Sequence, residues 1–391
     1  NGLGIGMVHS MLDLRLSFGW ARNWTLLNLL RTFAEDEENF TFMKYSSDFQ
    51  LTGEPGIKQW EGVPSLISVV HPEVLAQGAS YVPVHVTDRE SGEGVADVRV
   101  TLYKGTIEDI NQLDVDLFDI MYTGDDGRCF FVIDPDIAGN IQITALEQDI
   151  YPYKGIIQRV DSDVSIVAGI AEINDAAGGN GDGIVNLNET IVVSLSASNI
   201  GDSVDAVNVV GVVTSLTDGA MVADNRTEFG NIAVGETSEI IANIELEVSY
   251  PCSDGEQIYL LVDFESENGT WSSTVSFDPQ TENLRIASIQ PGMVIEHGEQ
   301  QFNLELFNSG RITTSEFTAR LIPSGWGVVF PVETLEFNAI ESGQSAFANS
   351  MVTLDGSEHV IPGARIPVRA VLEYEGVQFD EIVFDLQVGT A

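Results

Sequence analysis

The feature that most constrains this fold is an alternation of apolar and polar residues that returns at intervals near 110 residues. The clearest examples are residues 82–86, 193–197 and 302–306. A period of two with one polar face is typical of antiparallel strands that bury one face and expose the other. The polar turns that follow begin at Asp88, Asn199 and Asn308, at spacings of 111 and 109 residues. Repeats of this length, with alternating strands and polar turns, predict immunoglobulin-like β-sandwiches.

Two blocks support a true repeat. Residues 229–236 and 337–344 share Phe, Ile and Gly at a constant offset of 108 residues. The sequence therefore predicts a mainly β protein, with tandem immunoglobulin-like β-sandwiches preceded by a short helical remnant of an α/β domain. The predicted domains are 1–62 for the remnant and 63–162, 163–282 and 283–391 for the three sandwiches. The alternative is one large β domain with accidental spacing, which the matched blocks disfavour.

Charge narrows the possible partners. The 391 residues include 17 Lys and Arg against 60 Asp and Glu, a formal net charge of −43. This balance argues against binding to nucleic acid or to anionic lipid, since both need a basic surface. It favours solubility and cation binding. No stretch of 18 apolar residues occurs, so the sequence predicts no transmembrane segment.

One loop has the composition of a calcium site. Residues 174–189 read NDAAGGNGDGIVNLNE. Calcium binds six to eight oxygens, often from acidic loops bent by glycine. Counting back from Glu189 as the closing ligand puts Gly183 at the sharp turn of an EF-hand-like pattern, but the first position, Gly178, has no side-chain oxygen. The predicted ligands of one Ca²⁺ are Asp175, Asn180, Asp182, the Ile184 carbonyl, Asn186 and Glu189.

The same loop has a second interpretation, an Asn/Gly/Asp-rich turn without an ion. If calcium binds, we expect the ion to lie where the first sandwich leads into the second and to fix the angle between them. The repeat offers no second site of this kind, because the corresponding part of the third sandwich, residues 291–299, lacks the same density of oxygen-bearing side chains.

Catalytic chemistry has no sequence signature in this chain. The five histidines lie in no Cys-paired or glycine-framed local pattern. Cys129 precedes two phenylalanines in an apparent strand, which indicates a buried thiol rather than a nucleophile. Cys129 and Cys252 are interpreted as separate core residues, with a disulfide between them as the alternative. We therefore assign no catalytic residue.

A resemblance to a known family appears at residues 49–60, FQLTGEPGIKQW, followed by Val63-Pro64. This stretch resembles the junction between the catalytic domain and the immunoglobulin-like domain of gingipain-type cysteine peptidases. Glu54 stands where that family usually has Asp, and the apolar helical pattern over 7–34 resembles the last helices of the catalytic domain. The resemblance implies a secreted or surface-exposed bacterial protein, often exported by the type IX route. The family's catalytic His and Cys lie upstream of such helices, so no catalytic residue is carried over.

The predicted function follows from these observations. We expect a non-catalytic extracellular portion of a secreted gingipain-like bacterial protein, acting as a β-sandwich spacer or adhesion module. One alternative is a processed segment of an active cysteine peptidase whose Cys and His lie on another segment. Another is a subunit of a surface layer or filament, because exposed strand edges recruit other strands. The expected partners are another segment of the same precursor, or surface proteins and polymers.

Overall fold

A computed structural model describes residues 20–25, 63–109, 112–290, 294–295, 298–324, 328–356, 363 and 365–388. Strands dominate the described residues, which confirms the predicted mainly β class. Residues 20–25 are helical. The other residues of the predicted remnant, including most of the junction at 49–66, lie outside the described residues.

The chain divides into two compact units. The first comprises the described residues up to Leu75 together with Val82–Val160, and the second comprises Ala76–Tyr81 and Asp161–Ala391. The first unit contains a three-stranded and a five-stranded sheet. The three-stranded sheet has the order β1-β3-β6, with β1 Ile67–Val70, β3 Tyr81–Asp88 and β6 Arg128–Val132. The five-stranded sheet has the order β2-β8-β7-β4-β5, with β2 Val74–Ala76, β8 Tyr153–Val160, β7 Asn140–Leu146, β4 Arg99–Asp109 and β5 Gln112–Tyr122. In these sheets β1 pairs with β3, β5 and β7 pair with β4, and β8 pairs with β7, all antiparallel.

The second unit begins with a pair of four-stranded antiparallel sheets, which we call the second sandwich. One sheet has the order β12-β14-β10-β9, with β12 Ala220–Val222, β14 Ala242–Val248, β10 Glu189–Asn199 and β9 Ile166–Gly178. The other has the order β13-β11-β15-β16, with β13 Arg226–Ile232, β11 Ala206–Ser215, β15 Ile258–Ser266 and β16 Gly269–Phe277. Between them lies one hydrophobic core, which extends from Val164 to Phe277.

Two five-stranded sheets follow, which we call the third sandwich. One has the order β17-β19-β24-β21, with β23 also on β19; the strands are β17 Leu284–Gln290, β19 Gly298–Asn308, β24 Val352–Gly356, β21 Val328–Val329 and β23 Ser345–Phe347. The other has the order β18-β26-β25-β20-β22, with β18 Val294–Ile295, β26 Val377–Val388, β25 Arg365–Tyr374, β20 Phe317–Pro323 and β22 Thr334–Phe337. A separate hydrophobic core fills this sandwich, from Leu284 to Leu386.

The alternation of the sequence corresponds to burial in all three predicted repeats. The inward-facing side chains of the first examples are fully or almost fully buried: Val82, Val84, Val86, Val193, Leu195, Ala197, Phe302, Leu304 and Leu306. β11 departs from strict alternation, because Asn208 has a φ of 55° and the register with β13 shifts between Ala206 and Val209. Such a bulge adds a residue on one strand and changes which side chains face the core.

A buried asparagine ends the equivalent strand of each repeated sandwich. In the second sandwich, Asn199 Oδ1 accepts the N–H of Gly201 at 3.1 Å and that of Ser165 at 3.4 Å. Its Nδ2 donates to the carbonyls of Val204 at 3.0 Å and Ile232 at 3.3 Å. The Asn199 side chain therefore connects the turn after β10, the segment that precedes β9 and the end of β13 in the opposite sheet.

Asn308 repeats this arrangement in the third sandwich. Its Oδ1 accepts the N–H of Gly310 at 2.9 Å and that of Asn283 at 3.4 Å. Its Nδ2 donates to the carbonyls of Ile312 at 2.8 Å and Ile340 at 3.0 Å. The shared network gives a physical reason for the matched turns and blocks of the sequence.

Candidate functional site

The loop predicted to bind calcium lies at the end of the second sandwich that leads into the third. β9 pairs with β10 from Ile166 opposite Asn199 to Gly178 opposite Thr190, so the loop after Gly178 is at the far end of the sheet. Gln280, in the segment that enters the third sandwich, donates its N–H to the Val185 carbonyl at 2.8 Å. The expectation that the loop lies where the first sandwich leads into the second is therefore wrong, because the 13-residue strand β9 carries the chain across the sheet.

Two predicted ligands, Asp175 and Glu189, bring buried carboxylates into the loop. Both side chains are buried. Glu189 Oε1 accepts the N–H of Asn180 and Oε2 accepts that of Asn186, both at 3.0 Å. Asp175 Oδ2 accepts the N–H of Gly181 at 3.0 Å. The two carboxylates thus hold adjacent peptide groups of the same loop.

The amide ligands lie beside them. Asn180 Nδ2 donates to Asn186 Oδ1 at 3.0 Å. Asn186 is buried, and its Nδ2 donates to the Gln280 carbonyl at 2.8 Å. The structure therefore gathers four of the six predicted residues, and it ties one of them to the segment that enters the third sandwich.

The backbone at Asp182 adjoins this group, because the Asp182 N–H donates to Asn180 Oδ1 at 2.9 Å, but the Asp182 carboxylate forms its hydrogen bond outside the group. Asp182 is exposed, and its Oδ1 accepts the N–H of Ile184 at 2.8 Å. This is a local side-chain-to-backbone bond of the kind that Asp forms readily in turns. Among the described residues, no group of three or more His, Cys, Asp or Glu side chains is placed to hold a metal ion. The calcium site stays a prediction.

A cleft of about 620 Å³ adjoins the loop within the second unit. Its walls combine the loop with the linker and two loops of the third sandwich. The lining residues are Asn180, Asn186, Leu187, Asn188, Glu189, Glu282, Ile312, Thr313, Ser315, Glu316, Tyr374, Glu375 and Val377. The lining of this cleft is about equally polar and apolar, and among the described residues no Lys or Arg side chain contributes to it.

Both thiols are free and poorly suited to nucleophilic chemistry. Burial raises the pKa of the Cys129 thiol to about 11 and also raises the pKa of Cys252. A raised pKa keeps a thiol protonated at neutral pH, whereas nucleophilic cysteines need the thiolate. The interpretation of two separate cysteines agrees with the structure, although Cys129 is half-buried rather than buried.

The chain was compared with protein-family profiles, with curated proteins and with solved structures. No family profile matches the sequence, and no curated protein matches it. Among solved structures, red sea bream transglutaminase has a TM-score of 0.31 and 9% identity, covering 59% of this chain and 32% of its own. Arg-specific gingipain R has a TM-score of 0.27 and 15% identity, covering 41% of this chain and 33% of its own. Native Escherichia coli α2-macroglobulin has a TM-score of 0.25 and 8% identity, covering 85% of this chain and 32% of its own.

The chain thus spans about a third of the length of each of these structures. Gingipain R is a weak structural neighbour, and TM-scores this low carry no argument about function. Among the described helical residues, none forms a span long and apolar enough to cross a membrane.

Proposed function

We propose that this chain is a non-catalytic portion of a secreted, gingipain-like bacterial protein, in which tandem β-sandwiches act as a spacer and adhesion module on the outside of the cell. The observation that carries the proposal is the dense set of contacts joining the second and third sandwiches into one unit. A spacer must hold the parts it separates at a fixed distance and angle. A joint of this kind suits that task better than a flexible linker does.

Arg311 is the centre of this joint. Its guanidinium makes a two-pronged contact with the Asp278 carboxylate, at 2.6 and 2.8 Å. Its Nε donates to Asp254 Oδ1 at 2.8 Å, and Nη2 also donates to the Pro279 carbonyl at 2.6 Å. Paired contacts of this geometry fix orientation as well as distance, which a single lysine cannot do. The side chain of one sandwich thereby holds the last residues of the other.

A second set of contacts holds the linker residues Thr281 and Glu282 directly. Tyr374 donates its hydroxyl to Glu282 Oε1 at 2.6 Å and accepts the N–H of Ser315 at 3.1 Å. Asp254 accepts the N–H of Thr281 at 3.1 Å. Leu187 packs against both hydrophobic cores. The linker is therefore held by polar groups of both sandwiches and by an apolar contact across the joint.

Arg311→Ala should loosen the joint without unfolding either sandwich. We expect the amide of Thr281 to exchange with solvent at least tenfold faster, because its partner Asp254 loses the cation that holds it. Small-angle scattering of the full chain should show a wider distribution of shapes. Arg311→Lys should behave like Arg311→Ala, since an ammonium cannot reproduce the paired contact.

Arg365→Ala is the matched control, because Arg365 contacts Asp385 at 3.7 Å on an exposed surface of the same sandwich. It should change neither measurement. Unaltered exchange and scattering in Arg311→Ala would remove the support for a rigid spacer. The alternative of a processed peptidase segment is tested separately, by the intact mass of the native material and by a co-purifying second polypeptide.

We also propose that the loop at residues 174–189 binds one Ca²⁺ and stiffens the same joint. The donor set is chemically suitable, because carboxylate and amide oxygens are hard ligands. Asp175 and Glu189 are buried and take part in none of the ion pairs among the described residues. Backbone N–H groups alone balance their charge, and a bound cation would offset the cost of burying it. Because Asn186 Nδ2 donates to the Gln280 carbonyl, fixing Asn186 in place would also fix the segment that enters the third sandwich.

Calcium should raise the melting temperature of the full chain, and chelation should reverse the shift. Calcium at 100 times its dissociation constant would add about 2.7 kcal/mol to the folded state. Asp175→Asn and Glu189→Gln should each abolish the shift, whereas Asp125→Asn, in a turn of the first unit, should retain it. Titration calorimetry that gives no heat with calcium, together with unchanged melting, would reduce this loop to an ordinary turn.

A further inference from the structure

The outer edge of the five-stranded sheet of the first unit is formed by β5, the last strand in the order of that sheet. At its end, the Thr123 N–H donates to the Val98 carbonyl at 3.1 Å, and the Thr123 carbonyl accepts the Asp97 N–H at 2.9 Å. Peptide groups of an antiparallel strand alternate between its two sides. Odd-numbered residues near this end therefore face β4, and even-numbered residues direct their N–H and C=O groups outward.

The same even-numbered residues expose large apolar side chains. Phe118 is 63% exposed, Ile120 is 37% exposed and Tyr122 is 59% exposed. They lie at alternate positions and so share one face of the sheet. Among the described residues, no strand pairs with this side of β5. An edge of this kind with exposed aromatic side chains is a template for an added strand.

Asp119 lies between these residues and indicates the chemistry of the partner. Its side chain is half-buried, and its Oδ1 accepts the outward N–H of Ile120 at 2.8 Å. Its neighbour Asp116 forms an ion pair with Lys104, whereas Asp119 takes part in none of the ion pairs among the described residues. An inward-directed charge on an edge strand discourages non-specific pairing. It also leaves a carboxylate at a position where a cross-strand cation would be favourable.

We propose that β5 is a docking edge for an extended segment of another protein, in which one Lys or Arg is flanked by apolar residues. The segment adds to the sheet as an antiparallel strand. Its basic side chain lies opposite Asp119 and draws that carboxylate away from the Ile120 N–H, which then donates to the incoming strand. The flanking apolar side chains cover Phe118 and Ile120. This edge gives the proposed adhesion module a contact surface, and it is independent of the joint and of the calcium loop.

Charge distinguishes this partner from a second copy of the chain. Two copies of β5, paired so that Phe118 and Ile120 stack on each other, would place Asp119 directly opposite Asp119. Like charges directly opposite each other destabilise an antiparallel pair. The net charge of −43 opposes self-association further and attracts a basic partner.

The test uses the full chain and a fluorescent peptide with the core Val-Thr-Val-Lys-Val-Thr-Val and a neutral soluble tail. Fluorescence anisotropy should show saturable binding. Replacing the central Lys by Glu should weaken binding about tenfold, since it exchanges a favourable cross-strand pair for a repulsive one. N-methylation of the two valines beside the Lys should abolish binding, because it removes the donors that face β5.

Variants of β5 test whether the peptide binds at the edge of this strand. Asp119→Asn should bind the Lys and Glu peptides about equally, because the charge that distinguishes them is gone. Ile120→Pro should abolish binding while leaving the melting temperature almost unchanged, since Pro is tolerated where the N–H points outward on an edge strand. A double Phe118→Ser and Tyr122→Ser variant provides the same test without a backbone change. Val383→Ser, at an exposed position in the third sandwich, is the matched control and should bind normally.

Three outcomes would overturn the proposal. The first is no saturable binding of the Lys peptide to the full chain. The second is an undiminished preference for Lys over Glu in Asp119→Asn. The third is dimerisation of the wild-type chain, seen by sedimentation, that Ile120→Pro abolishes, because the occupant would then be a second copy.

Discussion

Asn308→Ala is expected to lower the free energy of unfolding of the third sandwich by about 3–5 kcal/mol, because it leaves several buried peptide groups without partners. The side chain holds two N–H groups and two carbonyls, one of each from the local turn and one of each from segments 25 and 32 residues away. Asn308 is fully buried, so water cannot replace these bonds at no cost. Urea unfolding of the full chain, with hydrogen exchange in β19 as the local probe, measures the loss.

The repeat supplies an internal replicate and a control. Asn199→Ala should cost the second sandwich a similar amount, since its hydrogen bonds correspond to those of Asn308. Asn338→Ala should stay within about 0.5 kcal/mol of the wild type, because Asn338 is exposed. A loss below about 1 kcal/mol in Asn308→Ala would mean that the turn finds other partners after the substitution.

How far the sequence predicts this arrangement depends on the range of each interaction. Alternation is a local property, so the inward faces of β3, β10 and β19 could be identified before the structure was known. The matched turns at Asn199 and Asn308 could also be found, because the repeat is linear in sequence. The partners of each asparagine could not, since they lie up to 34 residues away and meet only when the sheets pack.

The candidate site likewise has some features that the sequence predicts and others that only the fold determines. Composition identified the loop, and the structure gathers Asp175, Asn180, Asn186 and Glu189. Asp182 follows its own local preference, a turn closed on the N–H two residues ahead, which competes with a shared ligand position. The position of the loop followed from the length of β9, and the free edge of β5 from the order of its sheet. Neither property is contained in a single stretch of sequence.

The unfolding free energy of the third sandwich should also depend on pH through Asp380. Burial is the main cause that raises the pKa of this carboxyl to about 6, and the carboxylates of Glu282 and Glu381 add to it. The N–H groups of Leu284 and Glu381 donate to Asp380 and oppose the increase. Burial is the main cause that raises the pKa of Tyr250 and of Tyr374, and the Asp380 charge raises both further.

The direction of the pH dependence follows from the pKa of Asp380 in the unfolded and in the folded chain. In the unfolded chain Asp380 has an ordinary pKa near 3.8, and in the folded chain it has the higher value. Folding therefore favours the protonated form, so the contribution of this group is fully present below about pH 4 and is lost as the pH rises through about 6. A difference of about two pKa units corresponds to about 3 kcal/mol.

Asp380→Asn should remove this dependence. The stability of the variant relative to the wild type should be about 3 kcal/mol more favourable at pH 7.5 than at pH 3.5, whatever the constant cost of the substitution. Asp355→Asn, at an exposed position of β24 in the same sandwich, serves as the control, because Asp355 takes part in none of the ion pairs among the described residues. It should show the same relative stability at both values of pH. A carboxyl resonance of Asp380 that titrates near pH 4, or a relative stability of Asp380→Asn that does not change with pH, would show that the carboxyl is better solvated than its position at the joint implies.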